Sequence, residues 1–165
     1  MRNVYAFVMA GCMLAGASSA AAQNYPNKPI RFITPYAPGG STSVMARMIG
    51  QHLTECWGQN VIIDNRPGGN TIIGTETVAR SAPDGYTILL VTSTLSILSS
   101  LTKTPYDPVK DFAPVATIGV SLQVLVLNTA VPANTLQEVI ALAKAKPGQL
   151  NYGSSGAGGP THLSG

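Results

Sequence analysis

Two short stretches carry the residue types that can hold a small anion without a lysine. The first is Pro38-Gly39-Gly40-Ser41-Thr42. The second is Gly153-Ser154-Ser155-Gly156-Ala157-Gly158-Gly159, followed by Pro160-Thr161-His162-Leu163. Glycines let backbone come close to a ligand. The first N–H groups of a following helix are unpaired and carry partial positive charge, and nearby hydroxyls add donors. Together these make a preformed anion site. An ordinary tight turn with a helix cap would use the same residues in the first stretch, and a merely flexible loop the same residues in the second. Two such loops closing on one ligand from both sides are the more specific arrangement.

Other chemistries fit less well. No Gly-Lys-Ser/Thr follows the first loop, so it is not a Walker A loop. Ser154, Ser155 and His162 invite a serine hydrolase. A nucleophile elbow at Ser155 would need glycine where Ala157 stands, and no acid is close in sequence. Gly156-Ala157-Gly158 lacks the last glycine of a dinucleotide fingerprint. The two histidines and the cysteines lack metal-ligand spacing, so neither a metal nor a cofactor is expected. His52 reads as a surface residue, and Trp57 and the tyrosines as structural. Arg66 could hold a carboxylate, but a salt bridge or turn role suits its place at a strand end better.

The elements that must position these loops alternate. Residues 30–36 form a short apolar run between Pro29 and Pro38, which predicts a strand. Ser41 or Thr42 can then cap a helix with Val44, Met45, Met48, Ile49 and Leu53 on one face, stopped by Gly58. Residues 61–64 predict a second strand, Arg66-Pro67-Gly68-Gly69 a turn, and residues 72–81 a second helix ended by Ala82-Pro83-Asp84-Gly85. Residues 86–92 predict a third strand, apolar enough to be covered on both faces. Strand, helix, strand, helix, strand implies a parallel α/β sheet, in which ligands bind beyond the carboxyl ends of the strands. Residues 37–42 and 93–96 are loops at those ends. Residues 106–114 read as a crossing between lobes and residues 118–128 as a strand or bent pair of strands. Thr135 starts a helix with Leu136, Val139, Ile140 and Ala143 on one face and Lys144 and Lys146 near its negative end. Residues 150–152 predict another strand before the second glycine loop, and Pro160 suits the first turn of a helix.

The compartment follows from the amino end. Arg2, an apolar stretch over residues 4–15 and small residues up to Ala22 read as an export signal cut between Ala22 and Gln23. A lipoprotein cut before Cys12 is the alternative. The 165 residues are only 10% charged, and loss of Arg2 leaves nine basic residues against seven acidic ones. That excess is too small to argue for nucleic acid. Cys56 remains as a single thiol, which gives no internal disulfide. No later segment is long and apolar enough to span a membrane, so no direct membrane insertion is expected.

Several stretches in order resemble one family, from about Tyr25 to the last residue. They are Tyr25-Pro26-Asn27-Lys28-Pro29-Ile30-Arg31, the first glycine loop with Ala46-Arg47, and Asp64-Asn65-Arg66-Pro67-Gly68. Ala82-Pro83-Asp84-Gly85-Tyr86-Thr87, Tyr106-Asp107-Pro108-Val109-Lys110-Asp111-Phe112 and Ala145-Lys146-Pro147-Gly148-Gln149-Leu150-Asn151-Tyr152 continue the series. The family is that of the substrate-binding proteins of tripartite tricarboxylate transporters, the Bug receptors. The resemblance implies a type II periplasmic binding protein, two α/β lobes closing like a Venus flytrap. It implies a small carboxylate as ligand, a two-subunit membrane permease as partner, a monomer and no turnover. A receptor that reports ligand to a sensor kinase would look the same. Carried over by position, the ligand contacts are Gly39, Gly40, Ser41 and Thr42 from the first loop and Thr92, Ser93 and Thr94 after the third strand. Ser154, Ser155, Gly156, Gly158 and Thr161 follow from the second glycine loop, with His162 at the family's usual histidine, a contact or a structural residue of the helix start.

Departures qualify the match. Ser43 stands where the family commonly has Asp, which weakens the case for an amino-acid ligand, and Gly159 stands where Ser or Thr is frequent. Family members are also roughly twice as long. The expected organisation is therefore a signal over residues 1–22, a first lobe over 23–105, and a crossing with the start of a second lobe over 106–165. On this reading the chain is the front part of a longer protein and alone binds ligand weakly or not at all.

Overall fold

The computed structural model of the chain describes residues 25–165, so the expected export signal and its cut after Ala22 lie outside the described residues. Ile30–Thr34 (β1) is the central strand of a three-stranded parallel sheet, with Val61–Asn65 (β2) on one side and Thr87–Leu89 (β3) on the other. Ile30 pairs with Val61 and Thr34 with Asn65; Arg31 pairs with Thr87 and Ile33 with Leu89. Ser41–Trp57 (α1) connects β1 to β2, and Ile72–Ala79 (α2) connects β2 to β3. Parallel strands need such crossovers, and they put every strand-to-helix loop on one edge of the sheet.

Burial on both faces falls on β1, where Ile30 and Ile33 are fully enclosed. The expectation of a long, doubly covered third strand is corrected: β3 keeps three half-buried residues at the sheet's edge. Its pairing extends one residue each way, through Arg31 N–H to Tyr86 O and Leu90 N–H to Ile33 O, both 2.8 Å. β1 itself stops at Thr34, short of the expected Tyr36.

Helix α1 also departs from expectation. Its cap is Gly40, with extended backbone and no side-chain hydrogen bond, so Ser41 and Thr42 lie inside the first turn and do not cap it. Its buried residues are Ser43, Ala46 and Gly50, whereas Val44, Met45 and Met48 face outward. Ile49 does reach the core formed by Phe32, Ala46 and Leu90. The small residues win the inward face because the helix lies close to the sheet: a Cβ on Gly50 would sit 2.7 Å from Ile63 Cδ1. Gly58, at φ +65°, ends the helix with its N–H on Thr54 O at 2.9 Å.

At the amino edge of the sheet, residues 25–28 are clasped to the turn before β3. Tyr25 OH donates to Gly85 O at 2.8 Å, Tyr86 OH to Asn27 Oδ1 at 2.9 Å, and Lys28 Nζ to Asp84 Oδ2 at 3.1 Å. Trp57 closes edge-on against Tyr25, with ring centres 6.4 Å apart. The aromatic residues read as structural are structural here.

Residues 93–96 were expected to be a loop, but a helix, Thr94–Leu101 (α3), begins there. Beyond it Tyr106 is buried, edge-on to Phe112. The strand expected over residues 118–128 is absent. Its apolar side chains stand in the open, with Val120 at 92% and Leu122 at 88% exposure. The residues have strand character, but among the described residues no neighbour pairs with them, and a strand needs a ladder. The strand expected over residues 150–152 is absent for the same reason. Leu136–Ala145 (α4) forms as expected, with Thr135 as cap. Glu138 N–H donates to Thr135 Oγ1, and Glu138 Oε2 accepts Asn134 N–H at 2.6 Å, close to a capping box. None of its residues is buried. Pro160–Leu163 (α5) starts at Gly159, with proline in the first turn as expected.

Candidate functional site

The carboxyl edge of the sheet gathers three loops, one after each strand. After β1 the chain turns through Gly39, whose φ of +90° suits glycine alone, and enters α1 at Gly40. With no side chain capping α1 and no acidic residue in its first turn, the N–H groups of Ser41, Thr42 and Ser43 are left as donors at the positive end of a 17-residue helix. Ser41 is exposed and Thr42 half-exposed.

A chain of hydrogen bonds fixes this loop relative to its neighbours. Tyr36 O accepts from Asn65 Nδ2 at 3.0 Å, and Ser43 Oγ donates to Asn65 Oδ1 at 3.2 Å. Tyr36 OH accepts Thr92 N–H at 3.2 Å and lies 2.6 Å from Thr92 Oγ1, which in turn lies 3.0 Å from Thr94 Oγ1. The ends of all three strands are thus tied through one tyrosine and one asparagine. Sequence reasoning missed both Tyr36 and Asn65. Their signal was position: each is the polar residue at the carboxyl end of an apolar run. Ser43 takes an internal structural role, and the hydroxyls of Thr92 and Thr94 lie side by side.

The second glycine loop reaches the same edge. Asn70, on the loop after β2, donates through Nδ2 to Ala157 O. A Cβ on Gly159 would lie 3.7 Å from both Ser155 Oγ and Thr94 Oγ1. Within the loop, Ser155 Oγ is 2.8 Å from Thr161 Oγ1, which also accepts Ser155 N–H at 3.1 Å. Gly158 N–H donates to His162 Nδ1 at 3.3 Å. An accepting Nδ1 leaves the ring proton on Nε2. Ser155 and His162, the pair a hydrolase would need, therefore have other partners. Ser154 Oγ accepts Gly156 N–H at 3.5 Å. Among the described residues no hydrogen bond joins Gly39, Gly40, Ser41 or Thr42 to this second loop.

Arg66 proves structural. Its Nε donates to Asp64 Oδ2 at 2.9 Å, and Arg31 Nη2 meets the same oxygen at 2.6 Å. Partial burial alone would raise the Asp64 carboxyl, but the hydrogen bonds from Arg31 and Arg66 outweigh it and hold the group below its ordinary value. His52 is a surface residue, 3.9 Å from Glu55 and 3.8 Å from Cys56 Sγ. Among the described residues no group of three or more metal-ligating side chains forms.

Comparison with known proteins bears on the family and the fold. Residues 45–165 match the family described as tripartite tricarboxylate transporter family receptor. The chain is similar to a UPF0065 protein of Bordetella pertussis, 41% identical over 92% of this chain and 47% of that one. It is also similar to protein BugT of the same organism, 40% identical over 93% and 49%. The chain thus spans about half the length of the curated relatives it matches. Among solved structures it resembles R. palustris Rpa4515 with adipate, at a TM-score of 0.77 and 33% identity over 85% of this chain and 48% of that one. The α/β fold is therefore that of periplasmic binding proteins over the part the two share.

Proposed function

The chain belongs to the tripartite tricarboxylate transporter receptor family, and from that premise we propose that it captures a small carboxylate in the periplasm for a tripartite transporter. The observation that carries this reading is the uncapped start of α1 at the carboxyl edge of a parallel sheet, where backbone donors and the helix field suit an anion. In this reading Gly39, Gly40, Ser41 and Thr42 grip the carboxylate, with Thr92, Ser93 and Thr94 beside them. Ser154, Ser155, Gly156, Gly158 and Thr161 close from the other side. His162 holds its own loop through Nδ1 and offers Nε2–H as a donor. Residues 23–105 act as one lobe, and residues 106–165 as the crossing and start of a second. Binding proceeds without turnover. The partner is a two-subunit permease, and the receptor works as a monomer. Residues 1–22 direct export and are removed after Ala22. Receptors of tripartite transporters are periplasmic, and among the described residues no helix is long and apolar enough to cross a membrane.

A dicarboxylate is the first ligand to try, because the similar R. palustris protein was solved with adipate. Titration of the isotope-labelled 165-residue chain with adipate and other di- and tricarboxylates at millimolar concentration, followed by amide NMR shifts, tests the reading. Saturable shifts at Gly40, Ser41, Thr42 and Ser43 are expected. Shifts at none of these amides with any acid would overturn it.

A further inference from the structure

Asn70 does something for which its place in a turn gives no reason. It lies in the loop between β2 and α2, at φ +54°, and Thr71 follows at φ +77°. Two successive residues with side chains in the left-handed region are uncommon, and for a β-branched residue the conformation is costly. Ile72 N–H closes the turn on Gly69 O at 3.2 Å and Thr71 O accepts Thr75 N–H at 3.1 Å, while the buried Thr71 hydroxyl lacks a protein partner. Besides closing the turn, the conformation directs the Asn70 amide toward the second glycine loop. Nδ2 donates to Ala157 O across 87 residues of sequence. Oδ1 lies 2.8 Å from where a Cβ on Gly156 would be, and Nδ2 lies 3.8 Å from where one on Gly158 would be. The second glycine loop is thus shaped to receive this amide: Gly156, at φ +137°, and Gly158, at φ +73°, bring bare backbone against it. On its other side Gly158 rests on Leu98 and Leu101, whose Cδ1 atoms would each be 3.3 Å from its Cβ. A hollow of about 390 Å³ remains between Asn70, Ile72, the two leucines and His162, so the loop bridges a gap and does not sit on a filled core.

We propose that Asn70 is a latch. Its amide holds residues 153–159 at the carboxyl edge of the sheet and so positions that loop's donors for the carboxylate. Asn70 is a positioning residue in this role, acting through the loop. The proposal rests on the carboxylate-binding reading for its consequence and on the Asn70 contacts for its geometry.

Asn70→Gly is the cleanest variant, because glycine accepts the positive φ and only the amide is lost. Amide hydrogen exchange at residues 156–159 reads the latch without any ligand, and NMR titration with adipate reads its consequence. Exchange at those amides is expected to quicken about three- to tenfold, and adipate affinity to fall by a similar factor, the worth of one such hydrogen bond. Gly156→Ala, which drives a methyl into Asn70 Oδ1, is expected to loosen the same loop from the opposite side. Unchanged exchange in Asn70→Gly would overturn the latch, and faster exchange with unchanged adipate affinity would overturn its role in binding. If the unsubstituted chain binds neither adipate nor any other acid of the panel, the proposed function fails while exchange still decides the latch.

Discussion

Asp64 sits between two guanidinium groups, and the consequence is a dependence on pH. Hydrogen bonds from Arg31 and Arg66 hold its carboxyl below the ordinary value against the opposing effect of partial burial. A carboxyl depressed in the folded state contributes stability that is fully present above its unfolded value, about 3.9, and is lost as pH falls through the folded one. Thermal melts from pH 7 to pH 2.5 should show stability falling below about pH 4. Asp64→Asn should be less stable at pH 7 and lose less on acidification. Asp84 and Asp107, depressed chiefly by the backbone N–H groups of Tyr86 and Val109, leave a residual slope in that variant. Tyr36 is a second test at this scale. Its hydroxyl joins the ends of β1 and β3 through Thr92, so Tyr36→Phe should weaken adipate binding about threefold, the modest effect of one lost hydrogen bond, read by the same NMR titration. Residues of this kind mark what the sequence could and could not reveal. The glycines and hydroxyls of the two loops were legible because their composition is unusual. Tyr36, Asn65 and Asn70 were not, because their partners lie 56, 22 and 87 residues away.

Two glycines in helices show how close packing sets an element's orientation. A Cβ on Gly74 in α2 would lie 2.6 Å from Arg66 O and 2.8 Å from Pro35 Cβ, atoms that cannot retreat without moving the site's own loops. A Cβ on Gly50 in α1 would meet only the side chains of Ile63 and Val61, nearest the terminal methyl of Ile63 at 2.7 Å. Gly74→Ala should therefore cost about 2 kcal/mol or more. Gly50→Ala should stay within about 1 kcal/mol of the parent, since alanine's better helix propensity offsets the displaced methyl. Urea midpoints compare the two, and equal losses would contradict the assignment of rigid and soft neighbours. The same closeness explains why the face of α1 was misread. Apolar periodicity selects the large residues Val44, Met45 and Met48, whereas a helix pressed against a sheet turns Ser43, Ala46 and Gly50 inward. The β–α alternation was legible because it needs only local pattern. Residues 118–128 carry the same local pattern without a partner strand, and pattern alone cannot supply one.

Across the whole molecule, apolar surface is unevenly distributed. Val120, Leu122, Val124 and Val126 are each at least 79% exposed, and Met48 is 68% exposed on the outer face of α1. Contiguous apolar surface of this kind favours association. Sedimentation of the 165-residue chain should show a monomer at low concentration, with self-association appearing only as the concentration is raised. Val120→Lys with Val124→Lys should reduce it while leaving the melting temperature of the sheet unchanged, since neither side chain packs on the core. At the opposite end, the clasp of Tyr25, Asn27 and Lys28 on the turn at residues 84–86 has a practical use. It pins the start of the described chain to the amino edge of the sheet, one strand length, about 16 Å, from the edge that carries the glycine loops. A dye, a surface tether or a fused reporter joined just ahead of Tyr25 would emerge on the side turned away from the glycine loops. The chain could then be immobilised as a sensing layer with the proposed carboxylate-binding edge facing the solution.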